Sequence, residues 1–150
     1  MRAALFALAA AVILASPAFA DERAKDIEAV MREYFRLWNA GDAGAITSRI
    51  YRFDGPNAMS TQAGLEKTFA DLRAQGYDHS DTISIEGCLL SASTGMVELR
   101  YSRIKKDGQP MPPKDRATLY MMRKFDDGWR ITQMIGMGQG ADMNCTSLKP

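Results

Sequence analysis

The run Glu33-Tyr34-Phe35-Arg36-Leu37-Trp38-Asn39-Ala40-Gly41-Asp42 closes the strongest periodic segment of the chain. Working back from it, Ile27, Val30, Met31, Tyr34, Phe35 and Trp38 fall at i, i+3, i+4, i+7, i+8 and i+11, one face of an α-helix. Gly41 can take the left-handed conformation that ends a helix. The pattern predicts an amphipathic helix over residues 22–39 with an aromatic-rich stripe to bury.

Beyond this helix the spacing of Ile46 and Ile50 predicts a short second helix over 43–51, followed by a turn at Asp54-Gly55-Pro56-Asn57. A third helix is expected over 61–75, with Leu65, Phe69 and Leu72 on one face, Ser60 or Thr61 as its cap and Gly76 as its stop. The period then changes to 2. Ile83, Ile85 and Leu89 alternate with polar residues, as do Val97, Leu99 and Tyr101. Ala117, Leu119 and Met121 alternate with Thr118, Tyr120 and Met122, and Trp129, Ile131 and Ile135 share parity. Short polar connections, two of them carrying Asp-Gly, join these four strand candidates, which predicts an antiparallel meander. Helices first and strands afterwards make an α+β domain. A curved sheet wrapped around the helices buries both the helical stripe and one sheet face.

Upstream of the first helix, Arg2 precedes an uncharged run from Ala3 to Ala15 and then Ser16-Pro17-Ala18-Phe19-Ala20. These are the three regions of a cleavable secretory signal, residues 1–20, cut before Asp21. The run falls short of the ~20 residues a membrane span requires, so no stable membrane anchor is expected after cleavage. The domain is then 21–137 with a tail over 138–150, in the periplasm or outside the cell. Loss of Arg2 leaves 18 basic against 18 acidic residues, and no basic run gives a footing for nucleic acid. In an oxidising compartment Cys88 and Cys145, 57 residues apart, are most simply a disulfide tying the tail to the domain.

The segment 33–42, closing on Trp-Asn-Ala-Gly-Asp, resembles the first helix of SnoaL-like proteins of the nuclear transport factor 2-like superfamily. Phe125-Asp126-Asp127-Gly128-Trp129-Arg130-Ile131 is similar to that family's last hairpin, and 72–80 is similar to a bacterial subgroup of it. The resemblance covers about 26–136. It implies a cone, a strongly bent antiparallel sheet wrapped around N-terminal helices with a pocket at the open end. In the superfamily that pocket serves isomerases, dehydratases, cyclases and non-catalytic binders, so fold alone does not choose among them.

Ketosteroid isomerase, a relative on this fold, works with a carboxylate base and two acidic donors, a tyrosine and a protonated aspartic acid. The resemblance places Tyr34 on the donor tyrosine. Counting forward puts Ala58 at the base, with Asp54 as the carboxylate that could stand in. The second donor falls within 119–122, where the sequence has no carboxyl. The catalytic candidates are therefore Tyr34 and Asp54, an incomplete set for an isomerase or dehydratase. Each also has a plain structural explanation, in the apolar helix stripe and in turn chemistry.

One histidine, His79, and no Cys-x-x-Cys pair leave no recognisable metal site, and no motif for a cofactor is present. Ten methionines, four of them on the last two strands, suit a cavity that accepts varied apolar shapes. Tyr34, Trp38, Arg100, Tyr120, Met122 and Gln133 are the candidates to line it. Three functions stay open: a binder of a small, largely apolar molecule, an isomerase or dehydratase using Tyr34 and Asp54, and a homodimeric interaction module. The module would pair through an outer sheet face with Glu98, Arg100, Ser102, Thr118 and Tyr120. A single bulge exchanges the inner and outer sets of a strand, so Arg100 and Tyr120 stand in both groups.

Overall fold

The computed structural model describes residues 17–138. The expected leader up to residue 16 and the tail after 138, with Cys145, lie outside the described residues. Helix α1 spans Pro17–Ala40, so it starts earlier than its apolar periodicity indicates and runs across the expected cut before Asp21. Its stripe is buried as the spacing predicts, with Ile27 and Met31 fully enclosed and Tyr34, Phe35 and Trp38 nearly so. Gly41 ends it at φ 69°. The amides of Gly41 and Asp42 turn back to the carbonyls of Trp38 and Leu37, both at 3.0 Å. The Asp42 carboxylate then accepts the Ala45 amide at 2.9 Å and caps the next turn.

The expected second helix is a short α2, Ala43–Ala45, that runs on into a π-helical turn, Ile46–Ile50. That wider turn ends with the Tyr51 amide on the Ile46 carbonyl at 3.0 Å and buries both isoleucines. From Tyr51 the chain is extended alongside the last strand: the Arg52 amide donates to the Ile131 carbonyl at 2.9 Å and the Asp54 amide to the Thr132 carbonyl at 3.2 Å. Helix α3, Gln62–Ala74, is capped by Thr61, whose hydroxyl accepts the Gly64 amide at 3.1 Å. It buries Leu65, Phe69 and Leu72.

The four strands are β1 (Tyr77–Leu89), β2 (Thr94–Lys105), β3 (Arg116–Phe125) and β4 (Gly128–Met137), antiparallel and in sequence order. They form a curved, unclosed sheet with α1 against its concave side, the α+β cone expected. Asn39 fastens the end of α1 to β1: its Nδ2 donates to the Ser80 carbonyl at 2.9 Å while its Oδ1 accepts the Ser80 amide at 2.9 Å.

Strand faces differ from the simple alternation in three places. On β3 the inward set is Thr118, Tyr120 and Met122, because the register sets Tyr120 opposite Val97 and Met134. Ala117, Leu119 and Met121 therefore lie on the convex side. On β4 the register shifts after Met121, with Thr132 as the extra residue, so that Ile131 and Met134 face inward while Gln133 and Ile135 face out. Ile135 is consequently 49% exposed. A second shift between Thr82 and Ser84 ejects Ile83, which is 54% exposed.

Candidate ligand cavity

The open end of the cone holds a cavity of about 300 Å³. Helix α1 supplies Tyr34, Phe35 and Trp38, and α3 supplies Thr68. The connection before α3 adds Asn57 and Met59. The sheet closes the cavity with Tyr101 and Arg103 from β2, Thr118 and Tyr120 from β3, and Met134 and Gly136 from β4. At ~30 Å³ per water this is room for roughly ten water-sized groups, at the small end of ligand pockets.

Aromatic contacts set the shape of the walls. Tyr34 packs edge-on to Trp38 at 5.9 Å and to Tyr120 at 5.5 Å between ring centroids, Trp38 packs on Phe69 at 4.9 Å, and Phe35 on Tyr101 at 5.6 Å. Tyr51, brought beneath the sheet by its bridge to Ile131, donates its hydroxyl to that of Tyr34 at 3.0 Å. Tyr34, Tyr51 and Tyr120 thus gather three phenols in one buried cluster. Burial pushes all three hydroxyls above the ordinary tyrosine value and outweighs hydrogen bonds that lower it, with Tyr34 at Tyr51 and with Tyr120 at Tyr34. They stand as neutral hydroxyls, suited to a hydrogen bond with a neutral oxygen.

Of the residues singled out in the sequence, Tyr34, Trp38 and Tyr120 come together in the cavity wall. Met122 does not reach it; it is a fully enclosed core residue beneath. Arg100 and Gln133 belong to the convex side. Arg100 pairs there with the buried Glu98, and the bulge at Thr132 turns Gln133 to solvent. Asp54 is also excluded: its carboxylate lies at the surface, 43% exposed, 3.3 Å from Arg123. It is held there because its own amide is tied to the outward-shifted stretch of β4. The proposed outer set is divided as well, since Thr118 and Tyr120 face the cavity and Ser102 is covered by the loop before β3, donating to the Lys114 carbonyl at 2.6 Å. His79 is half exposed between Asp78 and Asp81. Cys88 is buried on the convex side.

Among the described residues no aspartate, glutamate or histidine lines the cavity, and no cluster suited to a metal ion is present. The wall holds phenols, thioethers, an indole, small polar groups and one guanidinium. The candidates did not include Phe35, Asn57, Met59, Thr68, Gly136, Tyr101, Arg103 or Thr118 of the wall, nor Tyr51 behind it. Tyr101, Arg103 and Thr118 were accessible to the period-2 rule, because they continue the parity of Val97, Leu99 and Tyr120; Tyr51 depends on a parallel bridge that no local pattern announces.

A family model described as NTF2-like protein (DUF6841) matches residues 21–138. The chain belongs to this family. Its fold is shared with an NTF2-like protein of cystatin-like fold from Novosphingobium aromaticivorans, at 17% identity and TM-score 0.59, covering 87% of this chain and 90% of that one. An NTF2-like protein from Shewanella oneidensis aligns at 22% identity and TM-score 0.57 over 75% and 96% of the two chains. A ketosteroid isomerase-like protein from Erwinia carotovora aligns at 18% identity and TM-score 0.51 over 76% and 94%. At these identities the likeness establishes the fold. None of the curated proteins matches the chain.

Proposed function

We propose that this NTF2-like domain is an exported binding protein that holds a small, largely apolar molecule in its cone cavity. The observation that carries this reading is the cavity wall itself, about 300 Å³ bounded by Tyr34, Trp38, Tyr101, Tyr120 and Met134, with no carboxylate or imidazole among the described residues to move a proton. Proton abstraction needs a base within about 3 Å of the substrate proton. With Asp54 paired to Arg123 outside the wall, the isomerase reading keeps Tyr34 alone. A neutral phenol cluster instead supports selection of a ligand oxygen by hydrogen bonding, with the aromatic and thioether surfaces burying the remainder.

The same reading takes residues 1–20 as the leader, placing the mature chain in the periplasm or outside the cell, and takes Cys88 and Cys145 as a disulfide holding the tail. The family match, beginning at residue 21, supports that division. Native mass spectrometry of protein purified from the periplasm, with thermal-shift screening of lipids, steroids and aromatic compounds, tests it. A retained or stabilising apolar ligand, on a chain whose first residue is Asp21, is the expected result. Failure of every class to bind or stabilise the protein overturns the binding reading, and an intact leader overturns export.

A further inference from the structure

Resting on that binding reading, we propose that the cavity's ligand is an aromatic or alicyclic carboxylate whose anionic head is held by Arg103 and Arg116. The two arginines are neighbours across the β2–β3 ladder: Arg116 pairs with Tyr101, and Arg103 lies two residues further along β2 on the same concave face. Arg103 lines the cavity, and Arg116 stands behind the wall, across the ladder from the lining residue Tyr101. The Nε atoms of both side chains are buried and have no hydrogen-bond partner.

What the pair lacks points to its occupant. Among the described residues neither arginine forms an ion pair, although seven other arginine or lysine contacts to carboxylates lie within 4 Å. Asp115, adjacent in sequence to Arg116, is exposed and joins neither. Arg103 has only the Tyr101 ring, 5.8 Å from its guanidinium carbon, and Arg116 donates one Nη2 hydrogen bond to the Pro112 carbonyl at 2.6 Å. Burial, and then the charge of Arg103, lower the pKa of Arg116. Buried donors without partners are rare in folded proteins and call for an acceptor. A planar carboxylate matches the guanidinium fork, and its two oxygens allow one group to bridge two arginines.

The rest of the molecule follows from the wall. Tyr101, which pairs with Arg116, presents its ring to Phe35 at the arginine end, while Trp38 packs against Tyr34 in the phenol cluster around Tyr120. Arg116 and Tyr120 are four residues apart on β3, about 13 Å at ~3.3 Å per residue. That span fits a one- or two-ring acid with its carboxylate at the arginines and its far end at the tyrosines.

Biphenyl-4-carboxylate and its neutral carboxamide, titrated into the mature protein with Trp38 fluorescence as readout, test the assignment. The acid is expected to bind at least tenfold more tightly than the amide, with that ratio falling at high salt. In R103Q and R116Q the acid loses this advantage while amide binding is retained, and inorganic phosphate at equal concentration does not displace the acid. Equal binding of acid and amide by the unsubstituted protein overturns the arginine site and leaves the cavity reading standing. Binding of neither overturns both. Displacement by phosphate, lost in R103Q, would replace a carboxylate with a phosphate as the recognised group.

Discussion

Gly64→Ala sets two physical effects against each other, and the structure decides their sign. Alanine favours a helix over glycine by up to ~1 kcal/mol, so propensity alone predicts a more stable protein. A Cβ on Gly64, however, would lie 1.8 Å from the Ala58 carbonyl oxygen, where ordinary contact begins near 3.4 Å, so backbone must part by about 1.6 Å. The segment that must move is held by the Ser60 amide on the Asn57 carbonyl at 2.9 Å and the Met59 amide on the Asn57 side chain at 2.8 Å. Overpacking costs ~1–3 kcal/mol and each of the two hydrogen bonds strained contributes ~1 kcal/mol, which outweighs the propensity gain by roughly 2–4 kcal/mol. With a urea slope of ~2 kcal/mol/M for a domain of this size, the unfolding midpoint should fall by about 1–2 M. Because Asn57 and Met59 line the cavity, ligand affinity should fall too. Gly55→Ala, with nothing within 4 Å of its added methyl, is the control. A Gly64→Ala protein as stable as the parent refutes the reasoning.

Asp54→Asn should change stability by less than ~0.5 kcal/mol, since its partner Arg123 is as exposed as it is, and should leave ligand affinity untouched; a tenfold loss in a binding titration would return Asp54 to the site. Alkaline titration followed by tyrosinate absorbance should show Tyr34, Tyr51 and Tyr120 ionising after the ordinary value of 10. Above that pH the unfolded chain releases those protons and the native state does not, so stability is complete below about pH 10 and falls as pH rises further; all five tyrosines ionising together near 10 in the folded state would contradict the cluster. Reduction of the protein, or Cys88→Ser, should lower stability by ~2–4 kcal/mol through the proposed Cys88–Cys145 link, measured by urea unfolding, and no change on reduction would count against that disulfide.

The helical half of the fold was legible because its signals are local. The stripe ending at Trp38 needs only a 3.6-residue period, and Gly41 with Asp42 needs only cap chemistry. Asn39 was visible as part of the family-like motif, but its role came only from the fold, where it binds both backbone groups of Ser80, 41 residues away. The length of α1 was misjudged at its start because the stretch from Pro17 lies before the apolar periodicity begins. The π turn at Ile46–Ile50 has no sequence signature at all, since its wider hydrogen bonding serves to bury two isoleucines four apart.

The cavity was less legible because it depends on which face each strand presents, and alternation by itself is symmetric between faces. On β3 the apolar Ala117, Leu119 and Met121 look like the core set, yet the pairing of Tyr120 with Val97 turns the mixed set Thr118, Tyr120 and Met122 inward. This is the face that lines the cavity, and a face proposed to bind a ligand must keep hydroxyls that a pure core excludes. Thr132 compounds the effect on β4 by moving Met134 inward and Gln133 outward in a single step. Following β2 inward from Val97 through Leu99 and Tyr101 brings the same parity to Arg103, so the cation was in the right series all along. Its place in the cavity wall shows that the concave face continues past Tyr101, and the proposed carboxylate site lies where that face ends.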